Sequence, residues 1–226
     1  MLSGLGFHAI NYLEATSRCL EDLYSVRKEI FADRLNWKVS VSEQLEFDEY
    51  DSPQTTYLIG HWEGIPLAGL RLINTLNPYM VEGPFRSFFN AELPKDVLMA
   101  ESSRFFVDTM RVRHLGLTGL PLTQMLLFAM HNHATTTGLT SIITVVSKAM
   151  SRIVHTAGWH YSVLATGEAA PGETVLLLQM PVTPENHQRL LAAIALKYPP
   201  CDELLSWPLR LSRKDTARQS IAERAA

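Results

Sequence analysis

Cysteine is scarce in this chain. Of 226 residues only Cys19 and Cys201 carry a thiol, too few for a disulfide framework or a structural zinc site, and a reducing cytoplasm fits this count best. Long apolar runs are missing as well: no segment approaches the ~20 apolar residues that a membrane span needs. The N-terminus, MLSGLGFHAINYLEAT, has neither the basic stretch nor the long apolar core of a signal peptide. Charge of one sign is not in excess, because 20 Lys and Arg stand against 23 Asp and Glu for a net charge of −3. Nothing global therefore points to nucleic acid. Asp48 and Asp51 have no His, Cys or EF-hand spacing around them, so no metal is expected. Repeats and low-complexity tracts are also absent. The expectation is a soluble cytoplasmic protein with no membrane segment, and 46% hydrophobic residues can fill one sizeable core. We read a single domain over residues 1–200 and a polar C-terminal tail over residues 201–226.

Residues 6–13 read as a first strand, and Thr16 or Ser17 as the N-cap of a helix running to about Phe31. Leu20, Leu23, Tyr24, Arg27 and Phe31 share one face of that helix. An arginine thus sits in an apolar stripe, where it either snorkels to water or waits, buried, for carboxylates. The acidic run Glu46-Phe47-Asp48-Glu49-Tyr50-Asp51, ended by Pro53, reads by itself as a solvated loop. Residues 55–62 and 67–74 flank Glu63 to Pro66 as a hairpin, and strand alternation places Arg71 on a half-buried face.

An aromatic stretch with Phe85, Phe88 and Phe89 either lines a pocket or covers the sheet. Residues 120–137 read as a helix, with Pro121 in its first turn and Gly138 as its stop. His131 and His133 do not share a face of it and read as surface or packing residues. Residues 141–146 form a buried strand, and Ser147 caps a helix to about Thr156 that carries Lys148 and Arg152 four apart. Strands at 161–166 and 174–182 and a helix at 184–197 complete the pattern.

One stretch stands apart. Residues 97–108, VLMAESSRFFVD, place Glu101, Ser102, Ser103 and Arg104 inside an apolar strand pattern. A buried carboxylate and guanidinium are costly unless they pair with each other or with a ligand. In a regular strand Glu101, Ser103 and Phe105 share one face while Ser102, Arg104 and Phe106 share the other. A site that uses both Glu101 and Arg104 therefore requires a bulge between them or a splayed strand.

Arg27, Phe31, Trp37, Asp48, Asp51, Arg71, Glu101 and Arg104, in this order and with the phrase ESSRFF intact, resemble the signature of the acyl-homoserine lactone synthases, the autoinducer synthases of bacterial quorum sensing. The match spans roughly residues 20–160. The resemblance implies an α/β fold like that of the Gcn5-type N-acetyltransferases: a three-layer α/β/α sandwich whose mixed central sheet is splayed to admit a pantetheine arm. It implies the condensation of S-adenosylmethionine with an acyl chain delivered on acyl carrier protein, followed by lactone closure with release of methylthioadenosine. S-adenosylmethionine is then a substrate, and no cofactor is implied.

Under this resemblance Arg27, Phe31, Trp37, Asp48, Asp51 and Arg71 bind S-adenosylmethionine, and Glu101 and Arg104 are catalytic, with Glu101 as the base for the amine. Backbone N–H groups near Phe105 and Phe106 are candidates for an oxyanion site. Ser102, Ser103, Phe105, Met130, Thr144, Val146 and Met150 match acyl-pocket positions, and Thr144 with Ser103 makes a 3-oxo chain the leading expectation. Lys148 and Arg152 match basic positions offered to the acidic carrier protein. The segment Arg113-His114-Leu115-Gly116-Leu117-Thr118 fits the acetyltransferase R-x-x-G-x-G/A loop only in part, because Thr118 stands where a small residue is usual. That suits a carrier-borne pantetheine better than tight coenzyme A binding. Two other readings share some of these features: a Gcn5-type N-acetyltransferase using acetyl coenzyme A, which does not need Trp37, Asp48 and Asp51, and a non-catalytic module that binds a nucleotide or a carrier protein.

Overall fold

In the computed structural model, which describes residues 4–210, strands and helices alternate from the first turn. The order is β1 (Leu5–Asn11), α1 (Ser17–Arg27), a π-helix (Lys28–Arg34), β2 (Val41–Ser42), β3 (Leu45–Glu46), β4 (Thr55–Trp62), β5 (Ile65–Asn74), a 3₁₀ turn (Arg86–Phe88) and β6 (Met99–Val107). It continues with α2 (Thr109–His114), α3 (Leu122–Thr136), β7 (Ser141–Ser147), α4 (Lys148–Thr156), β8 (Ser162–Ala170), β9 (Glu173–Pro181), α5 (Pro184–Ala195), α6 (Asp202–Leu205) and β10 (Leu209–Arg210). Parallel and antiparallel pairs both occur, so the class is the expected α/β with a mixed sheet. Among the described residues no helix is long and apolar enough to cross a membrane. The described chain divides into two compact units, and both β5 and β6 run through the division.

The first unit holds the described residues up to Arg71, then Arg104–Thr118, and the described residues from Pro208. Its strands follow the order β10-β1-β4-β5. β1 pairs antiparallel with β4 from Leu5↔Trp62 to Asn11↔Thr56, and β10 lies parallel to β1 through His8↔Leu209 and Ala9↔Arg210. The β4–β5 hairpin is tighter than its sequence suggests. Glu63 (φ 47) and Gly64 (φ 82) both take positive φ, which makes a two-residue turn of the primed kind, so Ile65 and Pro66 already belong to β5. Thr16 caps α1 by accepting from the Cys19 N–H at 3.3 Å. The helix expected to reach Phe31 as one α-helix instead widens after Arg27 into the π-helix, with Leu35 N bonded to Ile30 O at 3.0 Å. Leu23, Tyr24, Val26, Ile30 and Phe31 still form the core of this unit, with Ile10, Tyr57, Ile59 and Phe106.

The second unit holds Leu72–Ser103 and Gly119–Trp207, with strand order β6-β7-β9-β8. β6 and β7 are parallel over three residue pairs, from Met99↔Ser141 to Glu101↔Ile143. β7 then runs on against β9, antiparallel through Ser147↔Val175. The β6–β7 ladder thus ends at Glu101↔Ile143. α3 is buried on more than one face, from Leu122 through Met125–His131 to Ala134, because α5 packs along it. Residues 201–207, expected as polar tail, fold in this unit. Leu204 and Trp207 are core residues, and the Asn132 side chain donates to Trp207 O at 2.9 Å. The apolar Leu204 and Trp207 explain the difference; their spacing is too short to read as an element in sequence.

His131 is a packing residue in α3. Its ring lies 5.2 Å from Trp159 and 5.5 Å from His187, Nε2 meets Thr183 O at 3.0 Å, and Nδ1 is buried without a partner. Burial first, and then His187, lower its pKa to about 4. The folded value lies below the ordinary 6.5, so His131 contributes stability that is present above about pH 6.5 and is lost as the pH falls toward about 4. Between about pH 7.5 and about pH 5 the thermal midpoint of the native chain should therefore fall further than that of His131→Gln. Parallel declines would contradict this.

Candidate active site

Six charged side chains from four elements meet inside the first unit. Arg27 ends α1, Glu46 ends β3, Asp48 and Asp51 follow in the connecting turn, Arg71 lies on β5 and Arg104 on β6. Arg27 donates through Nε to Glu46 Oε2 and through Nη1 and Nη2 to the two Asp51 oxygens at 2.8 and 3.0 Å. Arg71 grips Asp48 with both terminal nitrogens and lies 3.1 Å from Asp51 Oδ2. Arg104 bridges Glu46 Oε1 at 2.9 Å and Asp48 Oδ2 at 2.7 Å. Three positive and three negative groups thus close one network, which is what burial of this much charge demands.

The acidic run around Asp48 is therefore no solvated loop. Glu46 is fully buried, and the short β2–β3 ladder that fixes it pairs Val41 with Glu46. Sequence reasoning named five of these six residues and missed Glu46. Strand alternation carried no signal for it, because it sets Glu46 opposite its apolar neighbours Leu45 and Phe47. Asp51 is the hub: besides both arginines it accepts from the Tyr57 hydroxyl at 2.9 Å and the Asp48 N–H at 3.0 Å, and Tyr24 and Tyr57 share a hydrogen bond at 2.8 Å. Burial alone would push the Asp51 carboxyl up, but Arg27 and Arg71 hold it at about 2. Burial likewise opposes the charge on Arg27, and Asp51 and Glu46 outweigh it, raising its pKa.

Only two members of the network reach the surface. The Asp48 and Arg104 side chains are 7% and 8% exposed, against 1% or less for the other four. Arg104 also has φ 54, a left-handed backbone that costs a non-glycine residue roughly 1–2 kcal/mol. A left-handed residue breaks strand alternation, so β6 is not the flat strand that would have separated Glu101 and Arg104 by simple register.

Beside Arg104 lies an aromatic pair. Phe31, on the π-helix, is buried and stacks on Trp37 with centroids 5.1 Å apart and planes at 14°, and the Arg104 guanidinium carbon is 5.8 Å from the Phe31 ring centre. Trp37 is 53% exposed and follows Asn36, whose φ of 52 turns the chain. A large indole with one face on Phe31 and half its surface in water is a ready platform for another flat ring.

The second unit carries Glu101 and the other expected positions. Glu101 is 1% exposed, and its two oxygens accept from the N–H groups of Met80 at 2.9 Å and Val81 at 3.0 Å. Both donors are backbone N–H groups, which a carboxylate accepts. Ser102 is buried and Ser103 half-buried on β6; Thr144 and Val146, two apart on β7, are half-buried; Met130 is buried in α3, and Met150 half-buried in α4. Phe105, half-buried, belongs to the first unit. Ser147 caps α4 through the Met150 N–H at 3.2 Å, and Lys148 and Arg152 stand exposed, one helical turn apart.

The segment Arg113–Thr118, which partly fits the R-x-x-G-x-G/A loop, is partly helical in the first unit. Residues to His114 belong to α2, and Gly116 (φ 72) terminates it, with Leu117 N returning to Val112 O at 2.9 Å.

Comparison with known proteins adds three findings. The autoinducer synthase family matches residues 11–190. An acyl-homoserine-lactone synthase of Pseudomonas amygdali pv. tabaci is 62% identical over 226 residues, the full length of both chains, and one of Serratia liquefaciens is 37% identical over 175 residues, 77% of this chain and 88% of its own. Among solved structures, the CoA-dependent acyl-homoserine lactone synthase BjaI with SAM and isopentyl-CoA superimposes with a TM-score of 0.76 at 21% identity, covering 96% of this chain and all of that one. A putative N-acetyltransferase from Lactobacillus plantarum reaches 0.54 at 18% identity, over 80% of this chain and 99% of its own. At such identities the structural likenesses establish the fold alone.

Proposed function

Because this chain belongs to the autoinducer synthase family and is an acyl-homoserine-lactone synthase, an acyltransferase, we propose that its acyl donor is a 3-oxoacyl chain on acyl carrier protein and its acceptor the amine of S-adenosylmethionine. The observation that carries the acceptor reading is the neutral charge network in which Asp48 and Arg104 alone reach the surface, with the Trp37 indole exposed nearby. S-adenosylmethionine brings an ammonium, a sulfonium, a carboxylate and an adenine. Asp48 answers the positive centres and Arg104 the carboxylate, while Trp37 and Phe31 receive the flat base or the sulfonium. Arg27, Arg71, Glu46 and Asp51 hold these two groups in place.

The reaction then has two steps. About a tenth of an ordinary α-amine is already neutral near pH 7, so the base has modest work, and Glu101 takes the remaining proton directly or through water. The nitrogen attacks the thioester carbon, a C–N bond forms, the C–S bond breaks and the carrier thiol leaves. The methionine carboxylate next attacks the carbon attached to the sulfonium, closing the lactone as neutral methylthioadenosine departs. We assign the acyl chain to Ser102, Ser103, Phe105, Met130, Thr144, Val146 and Met150, with the Thr144 hydroxyl as donor to a 3-oxo group. No cofactor enters this scheme. We place it in the cytoplasm, where acyl carrier protein is found.

Exposed Lys148 and Arg152 at i, i+4 and the incomplete R-x-x-G-x-G/A segment favour the carrier protein over coenzyme A. The double charge reversal Lys148→Glu, Arg152→Glu should raise the KM for acyl carrier protein at least about tenfold, since like charges across an interface cost on the order of 1.4 kcal/mol or more. Its KM for S-adenosylmethionine should stay within about twofold. A parallel rise in both would point to lost folding, and an unchanged carrier KM would remove these residues from the interface. A donor panel reads the chain: turnover of 3-oxoacyl carriers no faster than of unsubstituted ones overturns the 3-oxo assignment.

A further inference from the structure

The π-helix that carries Phe31 is fastened to α2, and the fastening converges on one carboxylate. Asp108 is 1% exposed. Its Oδ1 accepts from the N–H groups of Met110 at 3.2 Å and Arg111 at 3.1 Å, capping α2, and the same oxygen takes Arg34 Nη1 at 2.8 Å. Oδ2 lies 3.6 Å from Arg111 Nε. Both arginines hold the π-helix. Arg34 is its last residue and returns through Nε to Glu29 O at 3.3 Å, and Arg111 Nη2 donates to Glu29 Oε2, in the first turn, at 3.1 Å. These side chains line an open cleft of about 790 Å³.

A π-helical segment of this length is uncommon, because i→i+5 bonding persists mostly as single turns inside α-helices. Without outside support the segment should relax toward the i→i+4 pattern of α1. Losing one residue from a turn rotates everything beyond it by about 100°. Here that rotation would part Phe31 from Trp37, whose backbone N–H now bonds Phe31 O at 2.8 Å, and from Phe106, which meets Phe31 edge-on at 6.3 Å.

We propose that Asp108 is a positioning residue for S-adenosylmethionine: acting through Arg34 and Arg111, it fixes the π-helical register that sets Phe31 against Trp37. The inference rests on the reading of Phe31 and Trp37 as the surface that receives the substrate, and the experiment separates the two. Asp108→Asn keeps an acceptor at the N-cap, where asparagine serves as well as aspartate, and removes the charge that faces the arginines. S-adenosylmethionine affinity is measured calorimetrically on the full chain, alongside steady-state rates. Asp108→Asn is expected to weaken binding and raise the S-adenosylmethionine KM about fivefold or more, with the acyl-donor KM within about twofold and the chain still unfolding cooperatively well above the assay temperature. Arg34→Ala should behave likewise, Arg34→Lys should recover part of the loss, and adding Asp108→Asn to Arg34→Ala, which leaves only the Arg111 arm to lose, should cost clearly less than Asp108→Asn costs in the native chain.

A wild-type S-adenosylmethionine KM in Asp108→Asn, or effects that multiply in the double variant, would overturn the proposal. If Trp37→Ala loses affinity while Asp108→Asn does not, the proposal alone fails. If Trp37→Ala binds S-adenosylmethionine as tightly as the native chain, the reading of the aromatic pair fails and the proposal with it.

Discussion

Glu46→Ala is expected to cost about 3–5 kcal/mol of folding stability, the penalty for breaking a buried ion pair by removing one partner. Glu46 is fully buried and is the acceptor for the Nε groups of both Arg27 and Arg104. Its loss leaves two guanidinium groups short of a partner in a site that water reaches only at the Asp48–Arg104 edge, and turns a neutral network into one with a net positive charge. Domains of ordinary stability have ~5–15 kcal/mol in total, so the variant should unfold at much lower urea. Lactone formation should fall at least about a hundredfold, an effect of ~2.7 kcal/mol on the barrier, because Arg104 loses one of the two carboxylates that aim it. Glu46→Gln keeps the volume and one acceptor and should fall between. A loss of stability under about 1 kcal/mol in Glu46→Ala would show that the network does not depend on balanced charge.

Glu101 should give the second large effect, and its source can be separated. Glu101→Ala deletes the carboxylate and takes from the Met80 and Val81 N–H groups the acceptor they now bond at 2.9 and 3.0 Å, at about 1–3 kcal/mol for each. Glu101→Asp keeps a carboxylate but shortens its reach. If the carboxylate is the base, single-turnover acyl transfer at saturating substrates should drop by about a hundredfold or more in both variants. Raising the pH toward 9 should restore part of that rate, since more of the amine is then neutral without help. A rate deficit that does not change with pH would leave Glu101 as a support for residues 80–81 and remove it from proton transfer.

Much of this arrangement was legible in the chain because buried charge violates local patterns. Arg27 breaks the apolar stripe of α1, Arg71 breaks the alternation of β5, and the four polar residues from Glu101 to Arg104 break β6. Each violation required partners, and the conflict between Glu101 and Arg104 on opposite strand faces required a backbone irregularity, which the structure locates at the positive φ of Arg104. Other parts were not legible for physical reasons. A π-helix and an α-helix draw on the same residue types, and the choice between them after Arg27 is made by tertiary ion pairs to Arg111 and Asp108 more than 70 residues away. Glu46 sits in an acidic run whose local composition favours water, and only the two arginines brought by distant segments reverse that preference. Trp207 follows a stretch too short for periodicity, so its burial depends on Asn132 and the rest of the second unit.

The most direct measurement is a product analysis: the purified chain is incubated with S-adenosylmethionine and a matched panel of acyl carrier proteins and acyl coenzyme A thioesters, and the products are identified by mass spectrometry. The account predicts an N-acyl-homoserine lactone and methylthioadenosine in equal amounts, formed fastest from a 3-oxoacyl carrier protein. Neither product from any donor, or methylthioadenosine without lactone, would contradict it.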